Sequence, residues 1–133
     1  MENLNLDLGA VEYRITGGGV LRFNPADPNV YGRFLDARQD LERLQKAFQK
    51  KAKAAKEGAQ VLALLQEADR ALKDLLGLIF PGNDFDEAVG GVNLLAVNPS
   101  GKTVAESLLT ALEDILSRGA KSLVDAEAAK LRQ

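Results

Sequence analysis

The stretch AVNPSGKTVAESLL, Ala96 to Leu109, has the outline of a phosphate-binding loop. A P-loop wants Gly, four residues, then Gly-Lys-Ser/Thr, so that backbone amides and the lysine hold phosphates ahead of a helix. Here Ala96 stands in the first place, and Gly101-Lys102-Thr103 completes the pattern. Such a loop works at the carboxyl end of a central parallel strand, whose neighbours supply the magnesium-directing acid. About thirty residues follow Thr103, and their spacing is helical. The same letters have a simpler reading. Asn98-Pro99-Ser100-Gly101 is turn chemistry. Thr103-Val104-Ala105-Glu106 is a capping box that starts a helix. A nucleotide-binding loop at Ala96–Thr103 is therefore the remote reading.

The other groups able to do chemistry are carboxylates, lysines and hydroxyls. The chain has no Cys, His or Trp, which removes disulfides, thiolate or imidazole zinc sites, and His-dependent triads. Asp84, Asp86 and Glu87 sit where the first turn of a helix favours negative charge. Glu113 and Asp114 fall on an outer helical face. Neither group converges with other polar residues, so no catalytic residue, cofactor or metal is expected. The run KAFQKKAKAAK, Lys46 to Lys56, reads as a solvated helix end that complements the macrodipole. With a formal net charge of −2, the chain as a whole offers no field for nucleic acid.

The elements around these residues follow from periodicity. Apolar residues make up 46% of the 133 positions, and charges are frequent and mixed in sign. No apolar run reaches the roughly 20 residues that span a bilayer. The acidic start MENLNLDLGA lacks the basic and apolar regions of a signal peptide, so a cytoplasmic location is expected. Leu4, Leu6 and Leu8, then Val11, Tyr13 and Ile15, alternate as in a strand with one buried face. The glycines Gly17 to Gly19 break that pattern and Val20 to Phe23 resume it, which predicts a β-hairpin over about residues 11–24.

Asp27 and Pro28 are a cap and a first helical residue. They open a helix expected to run to about Lys56, ended by Gly58. Its residues Phe34, Leu41 and Phe48 fall seven apart, as in a coiled-coil seam. A second helix is expected from about Ala59 to Phe80. Its core stripe is Val61, Leu65, Ala68, Leu72, Leu75 and Ile79. Leu62, Leu64, Leu76, Leu78 and Phe80 widen the apolar arc to about 200°, against about 100° for an ordinary surface helix. NDFDEAVGG predicts a helix of one or two turns, and VNLLAV a short extended piece. A last helix is expected over Thr103–Ser117, interrupted by Gly119, with a loosely docked tail over residues 118–133.

The order of these pieces resembles the small tail assembly chaperones of long-tailed bacteriophages and their prophages. The resemblance covers about residues 11 to 117. It rests on Phe23-Asn24-Pro25-x-Asp27-Pro28-Asn29-x-Tyr31-x-x-Phe34, supported by Glu67-Ala68-Asp69-Arg70 and Gly91-x-Asn93-Leu94. It implies a non-enzymatic protein, in the cytoplasm of the bacterial host, that binds the long helical tape-measure protein. The chaperone would keep that protein soluble until tube subunits arrive, with the major tail protein as a further partner. A virion structural or adaptor subunit is the alternative.

The expected fold is mainly α in one domain, residues 1–133. A β-hairpin at 11–24 precedes a helical body at 27–117, in which a long helical hairpin carries a third helix across it. The expected partner-binding residues are Leu62, Leu64, Leu76, Leu78 and Phe80. Phe34, Leu41 and Phe48 form either an oligomer seam or a core seam. A homo-oligomer is expected, with neither nucleic acid nor membrane as a partner.

Overall fold

Alternation and glycine place the first elements. The computed structural model describes residues 1–132 and is mainly α with a small sheet. Strands β1 (Val11–Arg14) and β2 (Val20–Phe23) pair antiparallel, with Val11 opposite Phe23 and Arg14 opposite Val20. Gly17 turns the chain at φ 78°, a left-handed conformation that glycine adopts without strain. The hairpin begins at Val11, as expected. The alternation before it does not make a strand. Leu4, Leu6 and Leu8 are 88%, 73% and 76% exposed: the segment is tied to the body by the Asn24 Nδ2 bond to the Leu8 carbonyl at 2.9 Å, but no strand pairs with it and its leucines stay uncovered.

Helix α1 (Pro28–Ala54) starts as its sequence dictates: the Asp27 carboxylate accepts the Asn29 amide at 2.9 Å, and Pro28 occupies the first turn. Its end differs from expectation. Ala55 turns extended and returns its amide to Lys51 and Ala52, so Gly58 is not a terminator but the first residue of α2 (Gly58–Ile79). A short α3 (Phe85–Ala88) is capped by Asp84, whose carboxylate accepts the Glu87 amide at 3.1 Å. The VNLLAV segment is a turn at Leu94-Leu95 followed by a single bridge residue, Val97, rather than an extended piece. Helix α4 (Val104–Leu131) is capped by Thr103.

The core lies where α1, α2 and α4 meet the hairpin. Phe34 and Leu41 of α1, Leu72 and Leu76 of α2, and Leu116 of α4 are all 2% exposed or less. Phe80 is its hub: its ring centroid lies 4.8 Å from Phe23, 6.4 Å from Phe34 and 5.8 Å from Phe85. The heptad seam of α1 is thus spent inside the molecule, with Phe48 half-buried at its end. The aromatic and leucine side chains of α1 face α2 because that is the nearest apolar surface a helical hairpin offers.

Gly119 does not interrupt the last helix. The chain stays helical without a break from Ser117 through residues 118–131. The glycine serves close packing instead. A Cβ at position 119 would lie 1.8 Å from the Pro25 carbonyl oxygen, so α4 crosses the β2–α1 loop at a distance only glycine allows. Beyond the crossing Leu123 remains half-buried, whereas Val124 and Leu131 are exposed.

The hairpin is fastened to this body by backbone and by one side chain. The Gly19 amide donates to the Ala88 carbonyl at 2.9 Å, and a Cβ at Gly18 would lie 2.3 Å from the same oxygen. Asn83 grips the outer edge of β2. Its Oδ1 accepts the Arg22 amide at 2.7 Å and its Nδ2 donates to the Arg22 carbonyl at 2.9 Å.

Candidate functional site

The five residues expected on a binding face do not form one. Leu76 and Phe80 are 2% and 0% exposed and belong to the core. Each continues the α2 stripe toward α1 and the hairpin, so neither is available to a partner. Leu62 and Leu78 are outward-facing, at 63% and 72% exposure. They are sixteen positions apart, which places them about 160° apart around the axis and about 24 Å apart along it. Leu64 is half-buried and lies within about 40° of Leu78, on the same flank. That flank also carries half-buried Ala71, midway between them and not singled out by its sequence pattern. The signal was present: Leu64, Ala71 and Leu78 are seven apart.

Polar contacts tie the middle of α2 to its neighbours. Near its centre, Lys73 is buried with a side chain 7% exposed. Its Nζ donates to Asp69 Oδ2 at 2.7 Å and to Asp86 Oδ1 at 2.6 Å. Burial pulls the Lys73 pKa down, but the hydrogen bonds and charges of Asp69 and Asp86 outweigh it and hold the ammonium above the ordinary lysine value. Asp69 also accepts the Leu94 amide at 2.8 Å, and Asn93 Nδ2 donates to the Leu65 carbonyl at 3.1 Å. The Glu67–Arg70 and Gly91–Leu94 stretches, distant in sequence, are therefore in direct contact. Asp86 is an ion-pair partner that ties α3 to α2.

The remaining polar motifs have structural work. Glu113 pairs with Arg38 across α4 and α1, and Asp114 pairs with Arg118 at 3.0 Å. Among the described residues, no three His, Cys, Asp or Glu side chains gather as metal ligands. The basic run is exposed along α1, with the Lys51 ammonium 5.2 Å from the Phe48 ring centre. Buried Gln45 was missed, although a polar residue on an apolar stripe is a visible signal. Its Nε2 donates to Thr103 Oγ1 at 3.1 Å, fixing the start of α4 against α1.

The loop at Ala96–Thr103 closes on itself. Asn98 Oδ1 accepts the amides of Ser100 and Lys102 at 3.0 and 3.2 Å, and the Gly101 amide donates to the Asn98 carbonyl at 2.9 Å. Three of the loop's amides, those of Ser100, Gly101 and Lys102, are thus already engaged. Thr103 Oγ1 accepts the Glu106 amide at 3.1 Å, as its capping role predicts. The strand that a P-loop follows is replaced by the Leu94-Leu95 turn, and the described sheet has two antiparallel strands.

Protein-family models, curated proteins and solved structures were compared with the chain, and none matches. Among the described residues, no helix is long and apolar enough to cross a membrane.

Proposed function

We propose that the protein is a non-enzymatic chaperone for amphipathic helices, of the tail-assembly kind its sequence resembles, with a phage tape-measure protein as client. The observation that carries this reading is the outward flank of α2. Leu78 stands 72% exposed and Leu64 half-buried beside a core that is closed without them. A helix of a client can cover such a stripe with its own apolar face. The surrounding chemistry suits holding rather than transforming. The Asp69–Lys73–Asp86 group is internally paired, and the Ser100, Gly101 and Lys102 amides are bonded to Asn98.

The test is coexpression with the tape-measure protein, scoring its soluble fraction beside a thermal melt of the chaperone. Leu64→Ser with Leu78→Ser should lower the soluble fraction while moving the melt little. Leu76→Ser is the contrast, since a buried large-to-small change costs about 2–5 kcal/mol and should unfold the chain early. A stable double variant that still keeps the client fully soluble overturns the assignment of this face. A client equally soluble without the protein overturns the chaperone reading, and retention of the protein in finished tails would favour the structural subunit.

A further inference from the structure

The β-hairpin has two outer edges, and the molecule treats them differently. On β2, Asn83 occupies both polar groups of Arg22, its Oδ1 accepting from the amide and its Nδ2 donating to the carbonyl. Directly opposite residues of an antiparallel pair point their backbone groups either at each other or both outward. Arg22 points outward to Asn83, so Glu12 opposite it points outward on the β1 side, as does Arg14 two positions on. Among the described residues, the backbone groups of Glu12 and Arg14 meet no other segment. The chain's own spare strand pattern does not reach them. The Leu8 carbonyl is tied to Asn24, and Leu6 and Leu8 border the same groove as Arg22, Pro81 and Gly82, on the β2 side. Strand β1 also carries no lysine, proline or bulge, the devices that protect an open edge.

A second copy fits this edge by symmetry. A twofold axis pairs two β1 strands antiparallel, and outward residues must then meet outward residues. An axis through Glu12 or through Arg14 would set like charges face to face, which destabilises a sheet. An axis through Tyr13 sets Glu12 opposite Arg14 of the second copy, and Arg14 opposite its Glu12. Among the described residues, neither side chain has an ion-pair partner, Arg22 across the hairpin included. On the body-facing side the same register sets Tyr13 against Tyr13 and exposed Val11 against half-buried Ile15. Beside Ile15 lies an apolar groove of about 370 Å³, lined by Val89, Val92, Val104 and Leu108, at the end of the edge where Val11 of the second copy arrives.

We propose that two copies of the chain join through β1, making a four-stranded antiparallel sheet whose twofold axis passes through Tyr13. The seam of α1, spent in the core, takes no part. The interface is short, about four backbone hydrogen bonds and one row of apolar contacts, so association is expected in the micromolar range rather than tighter.

Sedimentation equilibrium of the full chain measures this association, beside amide hydrogen exchange at low and high concentration. Self-association should slow exchange at Glu12 and Arg14 and leave Tyr13, already paired with Leu21, unchanged. Glu12→Arg and Arg14→Glu each set like charges in both symmetric contacts and should weaken the dimer about tenfold, with the melt of dilute protein little changed. Glu12→Arg with Arg14→Glu in one chain brings opposite charges together again and should restore association, as should an equimolar mixture of the two single variants. A chain that stays monomeric at millimolar concentration overturns the interface. So does a dimer without added protection at Glu12 and Arg14, which would use another face such as the α2 flank. A double variant as weak as the single ones overturns the register. Loss of the dimer in Leu4→Ser with Leu6→Ser assigns the edge to the exchanged N-terminal arm of a second copy and overturns the pairing of β1 with β1.

Discussion

Two glycines inside helices should respond oppositely to the same substitution. Gly32 lies in α1, and a Cβ there would meet no heavy atom within 4 Å. Gly32→Ala should stabilise by about 0.5–1 kcal/mol, the helix-propensity difference between the two residues. Gly119→Ala gains the same propensity but places its methyl 1.8 Å from the Pro25 carbonyl oxygen. Real Cβ contacts stay beyond 3.0 Å, so the two backbones must separate by at least 3.0 − 1.8 = 1.2 Å. The oxygen belongs to the chain backbone and cannot rotate out of the way as a side chain would. Overpacking of this kind costs about 1–3 kcal/mol and exceeds the propensity gain. The net effect expected for Gly119→Ala is a loss of about 1–2 kcal/mol. In a domain of this size that is a fall in Tm of roughly 4–8 °C, against a rise of a few degrees for Gly32→Ala. Urea titration followed by circular dichroism measures both, and limited proteolysis of Gly119→Ala should cut first beyond Arg118. If Gly119→Ala is as stable as wild type, the close crossing of α4 over the Pro25 loop is wrong.

Lys73→Met should destabilise by a few kcal/mol, because it leaves the half-closed Asp69 carboxylate beside α3 without its cation. The raised Lys73 pKa also fixes a pH dependence. Its stabilisation is fully present below the unfolded value of about 10.5 and is lost as pH rises through the higher folded value, so wild type should show an alkaline loss of stability that Lys73→Met lacks. Phe34→Ala should cost about 3–5 kcal/mol and leave sedimentation of the remaining folded chain unchanged, since the seam is core and not an oligomer contact. Lys102→Ala should leave stability intact, with flat calorimetry against ATP and magnesium before and after the change. Micromolar nucleotide binding removed by Lys102→Ala would overturn the account of that loop.

Local signals in the chain carry far. Asp27-Pro28, Asp84 and Thr103 announce helix starts because capping is satisfied within three residues and needs no distant partner. Val11 to Phe23 reads as a hairpin because alternation and Gly17 act on neighbouring strands. Gly119 was misread because its cause is Pro25, ninety-four positions earlier. A helix breaker and a close-packing glycine look alike until the crossing partner is known. The same limit explains Leu76 and Phe80. Their flank of α2 has the same apolarity as Leu78, and only the placement of Phe23, Phe34 and Phe85 decides which residues are covered. Leu4, Leu6 and Leu8 show the converse, a strand pattern with no edge in reach to complete it. For the candidate site, Leu64 and Leu78 were legible as excess apolar arc.

The bond from the Gly19 amide to the Ala88 carbonyl separates two scales of cooperativity. The α1–α2 hairpin is built from near neighbours in sequence and forms with little loop-closure entropy. The β-hairpin reaches its site only after a later segment, Phe85–Gly91, has turned back to meet it. Amide hydrogen exchange at Gly19 should therefore report the opening of a small unit, one that undocks at lower free energy than the helical pair unfolds. When that unit swings away, Phe80 loses its Phe23 face while Phe34 and Phe85 still hold it, so the chain retains a partly closed core. Such an open form would bare one face of the Phe80 ring at the end of α2 nearest Leu78, and slow exchange at Gly19 matching that of the helical pair would rule it out.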